Sequence, residues 1–194
     1  TGTSGNRLGN TPGQYTSVPK NMAGSSGIPI QVPSMSSFLV FVSTPTANAY
    51  ISMNYNNVIM KNTDQVRVKS VEDKEVVSTI IDVESKTGGD RMWLFSDKKC
   101  TRNFDNGYDA RKLSGTALSP QIFAVEQDGN YQINSIDDID NTTIAFQAGQ
   151  DTDYTMKFTH ENTDAIYQKI ILYDMVAKTS TDITANGSTY TFSA

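Results

Sequence analysis

The side chains able to do chemistry in this chain are few and scattered. The single histidine, His160, lies beside Glu161, and the single cysteine, Cys100, sits between Lys98-Lys99 and Arg102. An imidazole next to a carboxylate is the start of an acid–base pair. A thiol beside positive charge is the start of a nucleophile, because the cation favours the thiolate. Neither has its remaining partners nearby in sequence, and one His with one Cys excludes a His-rich or Cys-rich metal site. The expected readings are a surface histidine at a strand end and a passive, half-buried thiol. Asp137, Asp138, Asp140 and Asn141 form an acidic knot, and Asp151 with Asp153 a second one. Dense carboxylate oxygens suit calcium, so Asp137, Asp138 and Asp140 are the candidate metal ligands and calcium the one candidate cofactor. Their spacing matches no calcium-loop pattern, and solvated turn residues are the competing reading.

Glu126 and Glu161 are the glutamates on or near predicted strands, and a glycosidase needs two carboxylates at a separation only the fold can set. Trp93, Tyr108, Tyr131 and Tyr167 are the aromatic residues a sugar-stacking platform would use. Met92-Trp93-Leu94-Phe95 is apolar on both faces, which predicts a buried Trp93 and leaves Tyr108 and Tyr167 as the candidate ligand-binding residues. Lys86-Thr87-Gly88-Gly89-Asp90 lacks the strand–loop–helix setting of a phosphate cradle, and no Gly-x-Ser-x-Gly elbow occurs. No set of residues makes a catalytic constellation, so no enzymatic activity is expected.

The elements that must carry these residues are strands. Short apolar segments with a period of two recur along the chain, each bounded by Gly, Asn, Asp, Ser or Thr, with almost no helical pattern. The first 27 residues are rich in Gly, Ser, Thr and Asn and read as loop, with Tyr15, Val18 and Met22 as anchors. Strands are predicted at residues 38–42, 49–53, 57–60 and 65–70. A long strand at 76–84, with Val77, Thr79, Ile81 and Val83 on one face, forms a hairpin with 91–95 across a glycine loop. Residues 97–114 read as irregular and polar, anchored by Phe104 and Tyr108. Segments 121–126 and 131–134 flank Asp128-Gly129, a strong hairpin signal. Strands follow at 143–147, 153–159, 168–174 and 188–193. Tyr154-Thr155-Met156-Lys157-Phe158 alternates strictly, as does Tyr190-Thr191-Phe192, so each has one face on a core and one in water. The fold class is all-β: an antiparallel, jelly-roll-like β-sandwich over residues 1–115, with its irregular N-terminal segment, then a smaller immunoglobulin-like β-sandwich over 116–194. One continuous sandwich is the alternative.

Length and charge bound the rest. The 194 residues suffice for a core that needs no covalent staple. A net charge of −5, with no basic cluster longer than two residues, argues against nucleic acid. The longest apolar run is far too short to cross a bilayer, so no membrane insertion is expected.

Three ordered blocks resemble a known family. They are Gly13-Gln14-Tyr15 to Pro19 with Val32-Pro33-Ser34-Met35 leading to Phe38; Phe104-Asp105-Asn106-Gly107-Tyr108-Asp109-Ala110 with Lys112; and Tyr154-Thr155 with Phe158, then Leu172-Tyr173-Asp174, then Tyr190-Thr191-Phe192. Together they resemble the C-terminal β-sandwich region of secreted and cell-surface proteins of the Bacteroidetes, just upstream of a type IX secretion sorting domain. The resemblance implies export, a place outside the cell or on the outer-membrane surface, and a structural or adhesive role. Its partners would be other domains of the same surface protein, with a host protein or glycan as a further class. It brings no catalytic residues. Two features depart from the pattern: the sorting domain expected after Phe192 is absent, and the chain opens as if within a module. A non-catalytic structural or adhesive module is the expected function. The alternative, a carbohydrate-binding module, calls for Tyr108 and Tyr167 exposed on one surface.

Overall fold

The computed structural model describes residues 76–105 and 107–194, together with Pro19, Tyr50 and Ser52. The strands expected at 38–42, 49–53, 57–60 and 65–70, and the N-terminal anchors Tyr15, Val18 and Met22, lie outside the described residues. Among the described residues there are ten strands, one 3-10 turn (Thr163–Ala165) and no α-helix. The strands are β1 (Val77–Glu84), β2 (Gly89–Ser96), β3 (Ala110–Arg111), β4 (Gln121–Glu126), β5 (Gly129–Ile136), β6 (Ile144–Gln147), β7 (Asp153–Glu161), β8 (Ile171–Asp174), β9 (Thr179–Asp182) and β10 (Thr189–Ser193). The all-β class read from the sequence is the class observed. No described helix is long and apolar enough to cross a membrane.

The main sheet runs β10-β7-β1-β2-β5-β4-β6, with β3 added against β5, and β8-β9 forms a second, two-stranded sheet. Both expected hairpins are present. β1 and β2 pair antiparallel from Val77↔Ser96 to Glu84↔Gly89. Their turn is closed by the Ser85 amide donating to the Gly88 carbonyl at 2.8 Å. β4 and β5 pair from Ala124↔Tyr131 to Glu126↔Gly129, which leaves Gln127 and Asp128 as the two-residue loop. Gly129, with φ +147, opens β5, and a Cβ there would run into the Arg111 guanidinium. That conformation is open to glycine and costly for other residues.

Two features of the sheet differ from the sequence reading. The sandwich was expected to be antiparallel throughout, yet β2 and β5 run parallel, from Trp93↔Ile133 to Ser96↔Ile136. The boundary expected at 115/116 falls between β3 and β4, and hydrogen-bonded pairs cross it: β1 with β7, and β2 with β5. The physical reason is that β1 and β2 are central strands with two neighbours each. The strands that satisfy their outer backbone groups come from far along the chain, because an unpaired central strand would leave buried polar groups unsatisfied.

The core forms where alternating faces meet. Ile81 and Val83 of β1 lie opposite Phe158 and Met156 of β7. These four join Met92, Leu94, Ile122, Tyr131 and Tyr154 in one buried cluster. Burying each such side chain contributes roughly 1.5–3 kcal/mol. At the two ends of the strand order, Phe146 of β6 meets Phe192 of β10 edge-to-face, with ring centroids 4.9 Å apart. Phe146 also meets Tyr154 of β7 at 4.8 Å. Side chains from opposite ends of the sheet therefore touch, which requires the sheet to curl over its own core.

Candidate functional site

The residues singled out in sequence are not assembled into one centre. His160 is half-buried on β7 rather than free at the surface. Its Nδ1 lies 2.9 Å from the Thr79 hydroxyl and its Nε2 lies 2.7 Å from the Ile183 carbonyl. The carbonyl can only accept, so Nε2 carries a proton and donates to it, while Nδ1 pairs with the Thr79 hydroxyl. The ring thus clips β7 and β1 to the segment after β9, and neither ring bond goes to a carboxylate or to Cys100.

Cys100 is buried, and the charges that act on it are negative. Burial, then Asp97, Asp105 and Asp109, push its thiol up to about 11. The flanking lysines suggested the reverse; the folded chain sets carboxylates around the sulfur instead. Glu126 accepts from Asn134 Nδ2 at 2.9 Å and lies 3.7 Å from Arg102. It stands on β4 and Glu161 on β7, with β5, β2 and β1 between them in the strand order.

The acidic knot is occupied by its own turn. Asp138 Oδ1 accepts from the Asp140 amide at 3.0 Å and from the Tyr167 hydroxyl at 3.0 Å. The Asp137 carboxylate accepts from the Asp138 amide at 3.0 Å, and Asp140 Oδ2 accepts from Asn141 Nδ2 at 3.0 Å. Arg102 donates to the carbonyls of Asp138 and Asp140, at 3.0 and 2.7 Å. The bond from the Asp140 amide, then that from the Tyr167 hydroxyl, with the Arg102 charge adding to them, hold the Asp138 carboxyl below the usual carboxylate range. Among the described residues no three His, Cys, Asp or Glu groups stand together as a metal cluster. In the second knot, Asp151 Oδ2 accepts from the amide and hydroxyl of Thr87, tying the β1–β2 turn down.

Of the two tyrosines, Tyr108 is exposed, whereas the half-buried Tyr167 spends its hydroxyl on the knot: it also accepts from the Ile139 amide at 3.1 Å. Trp93 is buried, as its two-faced apolar run predicts. It stacks on Phe95 with centroids 6.1 Å apart, and Arg91 sits 5.6 Å from its ring centroid. Arg91 in turn binds Asp82 across β1–β2 through two hydrogen bonds, at 2.5 and 2.8 Å.

Two clusters that the sequence did not signal lie around β5. Arg111 lies against the rings of Phe104 and Tyr131, at 4.9 and 4.6 Å from their centroids, and the two rings stack with centroids 6.1 Å apart. It donates to the carbonyl of Asp128 at 2.7 Å and to its carboxylate at 3.0 Å, while Tyr131 donates to the same carboxylate at 2.7 Å. The second cluster is charged and dry. Lys112 Nζ lies 2.5 Å from Asp90 Oδ2, with both side chains 3% exposed. Nζ also donates to Gln132 Oε1 at 2.9 Å. Gln132 Nε2 donates back to Asp90 Oδ1 at 3.1 Å and to the Arg91 carbonyl. The Ile122 amide donates to Asp90 Oδ2 at 2.7 Å. Burial lowers the proton affinity of Lys112, and the Asp90 charge opposes that shift. Lys112 appears in one of the sequence blocks, but nothing in its spacing announces Asp90 and Gln132, which come from other strands.

The described residues thus define an all-β module whose polar side chains are spent on holding strands and turns together. Comparison with known proteins adds one relative. The minor fimbrium subunit Mfa5 of Porphyromonas gingivalis is 32% identical to this chain over 193 residues, an alignment that covers 94% of the chain and 15% of that protein. The chain spans about 15% of the length of the curated relative it matches. No family profile matches the chain. No solved structure matches it.

Proposed function

We propose that this chain is a non-catalytic structural or adhesive module of a bacterial surface appendage, carried outside the cell as part of a larger assembly. The observation that carries the reading is the 32% identity to a fimbrial subunit, sustained over 94% of the chain. The fold supports it: the histidine and the acidic side chains of both knots are engaged in clips and turns, and the cysteine is buried. The partners proposed are other domains or subunits of the same appendage. Export by the type IX route, with this region ahead of a sorting domain, belongs to the same proposal and rests on the short sequence blocks alone.

The β8–β9 hairpin supplies a contact surface. Its end carries Tyr173, Met175 and Val176, exposed by 56%, 66% and 94%. Apolar side chains this open at one hairpin end suit association with another protein surface. The test is protease shaving of intact source cells, read with an antibody against the chain. Digestion on intact cells is the expected result; protection until lysis would overturn the reading.

A further inference from the structure

The described methionines stand in sharply different surroundings. Met92 and Met156 belong to the core, at 0% and 8% exposure, whereas Met175 at the β8–β9 end is 66% exposed. The turn that carries Met175 is built rather than loose. Asp174 Oδ1 accepts from the amides of Val176 and Ala177, both at 2.7 Å. Asp174 Oδ2 accepts from the Tyr190 hydroxyl at 2.7 Å, which ties the hairpin end to β10. Lys178 completes the turn in the left-handed region, with φ +55. The backbone on both sides of Met175 is thus held, and it presents the side chain between the exposed Tyr173 and Val176.

A thioether is soft and adaptable, which suits it to contact surfaces, and its sulfur takes one oxygen from a peroxide. Access to the sulfur sets how readily it does so. We propose that Met175 is a reversible oxidation site, at which hydrogen peroxide turns the apolar hairpin end polar and weakens its hold on a neighbouring subunit. The effect on association rests on the contact reading above; the position of the oxidised sulfur does not.

The step balances. A lone pair on Sδ attacks one peroxide oxygen, the S–O bond forms and the O–O bond breaks. The second oxygen leaves with the bonding pair and collects the proton of the transferred oxygen, giving water and the sulfoxide. The sulfur loses two electrons and the peroxide gains them. The reverse step takes two thiols, which leave as a disulfide while the oxygen leaves as water. The product carries a strong S–O dipole where the contact needs an apolar side chain, and burying that dipole without a donor is unfavourable. Met92 and Met156 are shielded by the same cluster that they help to fill, so the core keeps its thioethers while the hairpin end changes.

The test treats the full folded chain with limiting hydrogen peroxide and maps its peptides by mass spectrometry. The expected result is sulfoxide at Met175 while Met92 and Met156 remain unmodified. Oxidation of either core residue as early as Met175 would overturn the assignment. The same samples are then titrated by co-sedimentation with purified appendage filaments, where oxidation should weaken association by about tenfold or more. Equal sedimentation before and after peroxide would overturn the proposed effect. Met175→Leu cannot take up the oxygen, so peroxide should leave its sedimentation where its own untreated sample stands. A loss in that variant equal to the wild-type loss would move the effect to another methionine and overturn the proposal. An untreated wild-type chain that does not sediment at all would overturn the contact reading, and the proposed effect with it, while the peptide map still decides the site.

Discussion

Asp109 is held in a position that makes folding sensitive to pH. Burial raises its carboxyl to about 6, against the hydrogen bonds it accepts from the amides of Asp105 and Ser135, both at 2.7 Å. Because the folded value lies above the unfolded one, its contribution is fully present below the ordinary carboxylate range and is lost as pH rises through about 6. Asp109→Asn should therefore gain stability relative to wild type between pH 4 and pH 7, seen as a converging or reversed difference in urea midpoints across roughly that range. A difference that stays constant with pH would contradict this. Cys100 gives a second prediction: a thiol at about 11 carries about a hundredfold less thiolate than an ordinary one. Disulfide-exchange reagents should modify it far more slowly in the folded than in the unfolded chain, and equal rates would contradict the burial argument. Lys112→Met tests the dry cluster. It leaves Asp90 buried without its cation and should cost about 3–5 kcal/mol by denaturant unfolding. These environments could not be read from sequence. Asp97 and Asp105 are sequence neighbours of Cys100, as the cations Lys98, Lys99 and Arg102 are, and only the folded loop, which also brings in Asp109, decides that carboxylates act on the sulfur.

Strands and hairpins were the part most open to sequence reasoning. A period of two in Tyr154-Thr155-Met156-Lys157-Phe158 fixes which side chains face the core, and Tyr154, Met156 and Phe158 are indeed the buried ones. The glycine loop leading into β2 and Asp128-Gly129 at the start of β5 mark turns for steric reasons legible in the local sequence. What local pattern cannot carry is the identity of a strand's neighbour. The parallel β2–β5 pair and the β1–β7 pair join segments far apart along the chain, and both cross the division expected near residue 115. Close backbone approach is equally invisible. A Cβ on Gly149 would lie 2.5 Å from the Leu118 carbonyl oxygen and 2.8 Å from the Pro120 nitrogen. Gly149→Ala should therefore force the segment before β4 outward and cost about 1–3 kcal/mol in thermal or urea unfolding. An unchanged midpoint would show that the two segments are not packed this closely. At the β8–β9 end, changing Met175 and Val176 together to Ser should leave stability within about 0.5 kcal/mol of wild type, since both are exposed. The same change should weaken association with partner subunits, measured by co-sedimentation with purified appendage filaments.

For the molecule as a whole, composition and strand rhythm pointed to an all-β protein without a catalytic constellation, and the ordered sequence blocks pointed to a bacterial surface. The relationship to a fimbrial subunit is what gives that direction weight, because an all-β sheet by itself hosts many functions. The chain is proposed as a structural or contact-making part of an appendage, held by a curled sheet, side-chain clips such as His160 and a buried Lys112–Gln132–Asp90 cluster. Immunogold electron microscopy of the source bacterium, with antibody raised against this chain, tests that most directly. Gold particles along filaments outside the outer membrane are the expected result. Label confined to the cell interior, with bare filaments, would contradict it.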